Sequence, residues 1–171
     1  LFGSWQAAAP YARVPNPYRP TSRTEMRFDT PDKPNAIILG TTNAQVRDLD
    51  PDYAALAVAE RILGGGPEAR IPARLREKEG LSYSAGTYLQ PGQIDDLGSL
   101  GVYAIFPPQE LPRVRKAFDE ELARAIETGF TAEEVANAKR ALLEERRTNR
   151  AQDGTLVAAL VSQAYLGRTF A

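Results

Sequence analysis

ILGGGPEARIPARLREKEGLSY, residues 62–83, joins a long helix to a strand through a glycine turn and a second, shorter helix. Ile62 and Leu63 close an apolar stripe that begins at Leu56 and runs through Ala59, a helical spacing. Gly64-Gly65-Gly66 stops that helix and gives the chain freedom to set the next one at an angle. The short helix, about residues 71–79, ends at Gly80, and Ser82 opens a strand. Upstream, Asp50 is placed to cap the long helix, with Pro51 at its first position, where a missing N–H costs nothing.

Two strands are expected before that helix. Residues 24–28 alternate, with Met26 and Phe28 to one side, and residues 36–41 carry Ile37, Ile38 and Leu39 as a short buried run. Pro31-Asp32-Lys33-Pro34 between them is turn chemistry. Residues 1–20 hold Pro10, Pro15, Pro17 and Pro20 with no apolar period, and read as an extended linker or connector. Residues 21–171 are the domain proper.

Downstream, residues 82–89 alternate around Tyr83, Ala85, Thr87 and Leu89. Residues 97–106 put Leu100, Val102, Ala104 and Phe106 on one face, and Pro107-Pro108 ends that strand. Helices follow over 111–127, with Gly129 as terminator, over 132–147 behind a Thr131-x-x-Glu134 capping box, and over 155–166. Strands, helices, strands and then a run of helices predict an α+β fold: an antiparallel-rich sheet with helices packed on one face.

Composition narrows the chemistry. The 171 residues suit one domain with a proper core, and 43% hydrophobic with 25% charged residues is ordinary globular usage. The net charge of -1 offers no field to attract nucleic acid, and no apolar run approaches the roughly 20 residues of a membrane span. There is no histidine and no cysteine, hence no imidazole or thiolate metal ligand, no thiol nucleophile, and no imidazole to activate a serine. The glycine run follows a helix rather than opening one, and no Gly-Lys-Ser/Thr is present, so it is not a phosphate loop. The paired acids at 120–121, 133–134 and 144–145 diverge around their helices and read as solvated faces, as do the mixed charges from Glu144 to Arg150. Asp95-Asp96 lies in a loop between strands.

The 62–83 segment resembles the non-catalytic, C-terminal-type domain of the pitrilysin/insulinase family of zinc metallopeptidases, which includes the mitochondrial processing peptidases. In that family a helix ends in a glycine-rich turn, a short helix carries an arginine, and a tyrosine follows seven residues later at the start of a strand. LREKEGLSY places Arg76 and Tyr83 at that spacing. NAIILGTT resembles the family's central strand, DPDYAALAVAERILGGG its following helix, TAEEVANAKRALLEE its helix-pair region and LFGSW its connector. Measured against that pattern, the chain stops before a last helix and strand.

The resemblance implies one half of a processing-peptidase-type clamshell, built with a zinc-bearing domain or subunit as a dimeric or two-domain assembly. The zinc, held there by an inverted H-x-x-E-H motif and a downstream Glu, polarises a water for which the motif's Glu is general base. This chain would bind no cofactor, would not act alone, and would hold peptide or unfolded polypeptide in the shared chamber. Arg76 would contact a substrate carbonyl and Tyr83 the carbonyl oxygen as it becomes an oxyanion, where fixed donors contribute ~3–4 kcal/mol. The sequence itself fixes no compartment, and the resemblance to secreted bacterial proteases is compatible with the periplasm. The alternative is a structural scaffold of the same fold with no proteolytic partner.

Overall fold

Strand β3 (Gly98–Phe106) lies between β1 (Ala36–Ala44) and β2 (Ser84–Gln90), antiparallel to both, in a sheet of order β1-β3-β2. A computed structural model describes residues 4–6 and 8–169. The connector motif at residues 1–5 and the last two residues fall partly or wholly outside them. The register pairs Ala104 with Ile38 on one side and Ala85 on the other, and Val102 with Gly40 and Thr87. These residues share the sheet face that meets the helices.

The remaining elements are α1 (Tyr53–Leu63), α2 (Arg70–Pro72), α3 (Leu111–Thr128), α4 (Ala132–Arg150) and α5 (Asp153–Tyr165). The core is built where α2, its continuation and α3 cover the sheet. Ile71, Leu75, Leu81, Phe106 and Val114 are each almost wholly removed from solvent, with Ala104, Ala117 and Phe118 between them. Burying each large apolar side chain contributes roughly 1.5–3 kcal/mol. α4 packs against α1, and α5 chiefly against α4.

The α+β architecture, with helices on one sheet face, is the one the sequence predicts. Its details differ in three places. Residues 24–28 form no strand: Met26 and Phe28 are 74% and 80% exposed. Alternation supplies a face but not a partner, and this segment finds neither a ladder nor a surface to pack on. Residues 37–39 are not a uniformly buried run either. Ile38 packs on the core while Ile37 and Leu39 point away from the helices, 64% and 75% exposed, because the second sheet face is uncovered among the described residues. Asp50 does not cap α1. Its carboxylate accepts from the backbone N–H of Arg47 at 2.6 Å, closing the preceding turn, and α1 starts two residues later than expected with Asp52 before it and no side-chain cap. The predicted capping box at Thr131 and Glu134 is present in full.

Candidate functional site

The glycine turn is pressed against β2. α1 ends with the N–H groups of Gly64 and Gly65 both donating to the carbonyl of Glu60, at 2.9 and 3.0 Å. A Cβ added at Gly64 would lie 2.3 Å from the backbone nitrogen of Thr87. A Cβ at Gly86, across the same contact, would lie 2.8 Å from the Gly64 carbonyl oxygen. Backbone thus meets backbone, and glycine is required on both sides of the contact. Thr87 secures it by donating its hydroxyl to the Glu60 carboxylate at 3.0 Å. Burial raises the Glu60 pKa, opposed by the Thr87 hydrogen bond and the Arg61 charge and reinforced by Glu145. Arg61 braces the turn from outside, donating to the Gly65 carbonyl at 2.7 Å.

After the turn, α2 runs directly into wider π-type turns over Ala73–Lys78. The Glu79 N–H reaches back to the Arg74 carbonyl at 3.0 Å and the Leu81 N–H to the Leu75 carbonyl at 2.7 Å. Such widened turns are uncommon and recur at functional sites. Gly80 then reverses the chain with φ +63, a left-handed conformation that favours glycine. Buried Leu81 anchors the start of the strand, and the Ser82 hydroxyl bonds the carbonyls of Ser84 and Ile105, each at 2.8 Å. Tyr83 donates its N–H to Ile105 at 3.0 Å, while its side chain stands 85% exposed.

Two arginines fix this segment from behind. Arg70 donates Nε and Nη2 to the two carboxylate oxygens of Glu134, at 2.6 and 2.8 Å, and lies 4.9 Å from the centre of the Phe130 ring. The Arg70 hydrogen bonds, with those from Thr131, hold the Glu134 carboxyl down at a pKa of about 2 against the opposing effect of burial. Arg74 bonds Glu79 at 2.8 Å, Glu120, and buried Glu121 at 3.4 Å. Both are charge-assisted, multi-point contacts.

Arg76 faces elsewhere. With Tyr83 it lines a cleft of about 340 Å³ between the glycine turn and β2, whose other walls are Pro67, Pro72, Ser84, Ala85, Thr87 and Tyr103. Arg76 is exposed, and among the described residues neither its guanidinium nor the Tyr83 hydroxyl makes a hydrogen bond or ion pair. Tyr103 belongs to the site and was not anticipated from sequence. The signal was its place on the β3 face opposite Val102 and Ala104, where the register sets it beside Gly86. The loop acids are engaged in protein contacts: Arg13 donates to both oxygens of Asp95, at 2.5 and 2.6 Å, and Gln45 bonds Asp96 at 2.6 Å.

Zinc does not fit this chain. The sequence has no histidine or cysteine, and among the described residues no three acidic groups converge as a metal site. No helix among the described residues is long and apolar enough to cross a membrane.

Comparison with known proteins supplies the context. The family model described as "Peptidase M16 inactive domain" matches residues 1–142. An uncharacterized zinc protease of Streptomyces coelicolor is 37% identical over 84 residues, which are 49% of this chain and 18% of that protein. The chain spans about a fifth of the length of the curated relatives it matches. The crystal structure of a peptidase M16 inactive domain from Pseudomonas fluorescens superposes with a TM-score of 0.67 at 23% identity, covering 80% of this chain and 32% of that one. The periplasmic protease PqqL from Escherichia coli superposes with a TM-score of 0.60 at 14% identity, covering 77% and 14%.

Proposed function

The chain belongs to the peptidase M16 inactive-domain family of the zinc proteases, and on that premise we propose that it is the substrate-binding, non-catalytic half of a zinc-dependent metalloendopeptidase. The partner is a zinc-bearing domain with an H-x-x-E-H motif, in the same polypeptide or on a separate subunit. Closure of the two halves forms a chamber for a peptide or unfolded polypeptide. All metal chemistry belongs to the partner, and none is assigned to residues of this chain. The periplasm is the compartment that fits best, on the likeness to a periplasmic protease.

The observation that carries this reading is the pairing of Arg76 and Tyr83 in one cleft with both polar heads unengaged among the described residues. An arginine that stabilised the fold would be tied to acids, as Arg70 and Arg74 are. A tyrosine that served packing would be covered, whereas Tyr83 is 85% exposed. As donors they suit an amide under attack. The Tyr83 hydroxyl donates to the carbonyl oxygen as negative charge develops on it. The Arg76 guanidinium donates to an adjacent substrate carbonyl and holds the peptide in register. A scaffold without a proteolytic partner has no use for either group in this position.

The test is reconstitution with the zinc-bearing domain. Tyr83→Phe should lower kcat/KM by about 100-fold or more, the range for loss of one oxyanion donor, and Arg76→Ala should lower it through weaker positioning of the peptide, both with unfolding temperatures unchanged. Wild-type kinetics in both variants would refute the assigned roles.

A further inference from the structure

The substrate class can be narrowed from the charge of the cleft. Its lining holds one ionised side chain, Arg76, and no carboxylate. The same short segment shows what happens when an acid is within reach: Arg70 takes Glu134, and Arg74 takes Glu79, Glu120 and Glu121. Glu60, the acid behind the glycine turn, is not among the lining residues and receives the Thr87 hydroxyl. The cleft therefore presents a cation with no acid in the lining, together with two phenols, Tyr83 and Tyr103, and the apolar side chains of Pro67 and Pro72.

We propose that this cleft selects peptides carrying an aspartate or glutamate side chain beside the bond to be cut. The inference rests on the substrate-binding role given above and adds specificity to it. A guanidinium has five N–H donors in a fixed fork. One edge can hold a backbone carbonyl while the other takes a carboxylate with two parallel hydrogen bonds, the strongest neutral-pH contact available to it. The Tyr103 hydroxyl adds a neutral donor for one of the carboxylate's remaining lone pairs, leaving Tyr83 to the scissile carbonyl. A volume of about 340 Å³ admits an acidic side chain with the backbone around it, at the small end of the roughly 300–1,000 Å³ typical of ligand pockets. A lysine or arginine in the same place would meet Arg76 with like charge and no acid to offset it, so the cleft discriminates by repulsion as well as attraction.

The test uses the 171-residue chain and three fluorescein-labelled nonapeptides that differ at one central residue: glutamate, glutamine or lysine. Fluorescence anisotropy at low salt reads the dissociation constants. The glutamate peptide should bind about tenfold tighter than the glutamine peptide, and the lysine peptide weakest. Arg76→Gln should abolish the preference, whereas Arg113→Gln, a cation outside the cleft, should leave it intact. Raising the salt concentration should shrink the gap between the three peptides. Equal binding of all three, or a preference that survives Arg76→Gln, would overturn the acidic specificity while leaving a peptide-binding role in place. No binding of any peptide up to about 1 mM, the weak end of specific affinity, would overturn the specificity and count against the substrate-binding role as well.

Discussion

The two sides of residues 70–83 use the same kind of side chain for opposite ends. On the buried side, Arg70 and Arg74 meet four carboxylates from the segment's own end, α3 and α4. On the open side, Arg76 meets none among the described residues. The three arginines are separated by at most six positions, so local composition does not distinguish them. Direction does: Arg70 and Arg74 are four positions apart, which puts them on one helical face, whereas Arg76, two positions beyond Arg74, points to the other side, where the cleft lies. The lesson is that anchoring and presentation are divided between neighbours. The engaged pair holds the backbone still, and a rigid support is what a positioned donor requires.

The sharpest way to break this comparison is to exchange the phenotypes. In the reconstituted enzyme, Tyr83→Phe should show the roughly 100-fold loss of kcat/KM given above and Arg76→Ala a loss in the same parameter, each with an unchanged melting temperature. Arg74→Ala should do the reverse on the isolated chain. It strips three carboxylates of their shared partner, and Glu121 among them is buried. Because the group is only partly shielded, the expected destabilisation is about 2–3 kcal/mol, below that of a fully buried pair. Thermal unfolding should show this as a fall of roughly 5–10 °C. Equal melting temperatures for Arg74→Ala and Arg76→Ala would erase the distinction between the two sides.

Smaller effects sharpen it. Gly64→Ala forces a methyl group to within 2.3 Å of the Thr87 nitrogen. The turn must lift from β2, which should cost about 1–2 kcal/mol in chemical denaturation and alter the cleft mouth, seen as weaker peptide binding.

Acid should loosen the anchored side. The folded Glu134 carboxyl titrates at about 2, below the ordinary glutamate value of about 4.3. The native state therefore holds that proton less tightly than the unfolded chain. Stability from the Arg70–Glu134 pair is complete above the ordinary value and is lost as pH falls toward 2. Glu60 has the opposite sign, since its folded pKa is raised and its contribution is largest below the unfolded value. Denaturation between pH 5 and 2 should thus weaken wild-type protein more steeply than Glu134→Gln.

The smallest effect is expected at the opposite end of β2. Asp95 accepts from Arg13 and from the Asn16 N–H at 2.8 Å, tying the proline-rich segment to the β2–β3 loop. Asp95→Asn should leave the melting temperature within about 1 °C, as exposed pairs contribute little. It should nonetheless speed hydrogen exchange at the Asn16 amide.

Much of the fold was legible because it rests on local rules. The β3 alternation, the Gly129 terminator with φ +69 and the Thr131 capping box each follow from residues close in sequence. The strand expected at 24–28 failed for want of a partner, which no local pattern can report. The site was legible in part. Arg76 and Tyr83 stand out by the resemblance of LREKEGLSY to a family pattern and not by spacing alone, and both line one cleft. Tyr103 was hidden because its membership depends on strand register, and the Arg13–Asp95 tie spans 82 positions. The divergence of Arg74 from Arg76 follows from their i, i+2 spacing on a helical segment, but which side the acids of α3 occupy is set by packing and not by that spacing.

Glu134 answers to two masters. Its carboxylate closes the first turn of α4 by accepting from the Thr131 N–H, and it also grips Arg70 from another part of the chain. Glutamine could still close the turn, but it carries no charge for the arginine. Aspartate keeps the charge on a shorter arm. The start of a surface helix and the footing of the cleft are therefore not free to vary independently: one side chain writes the same constraint into both.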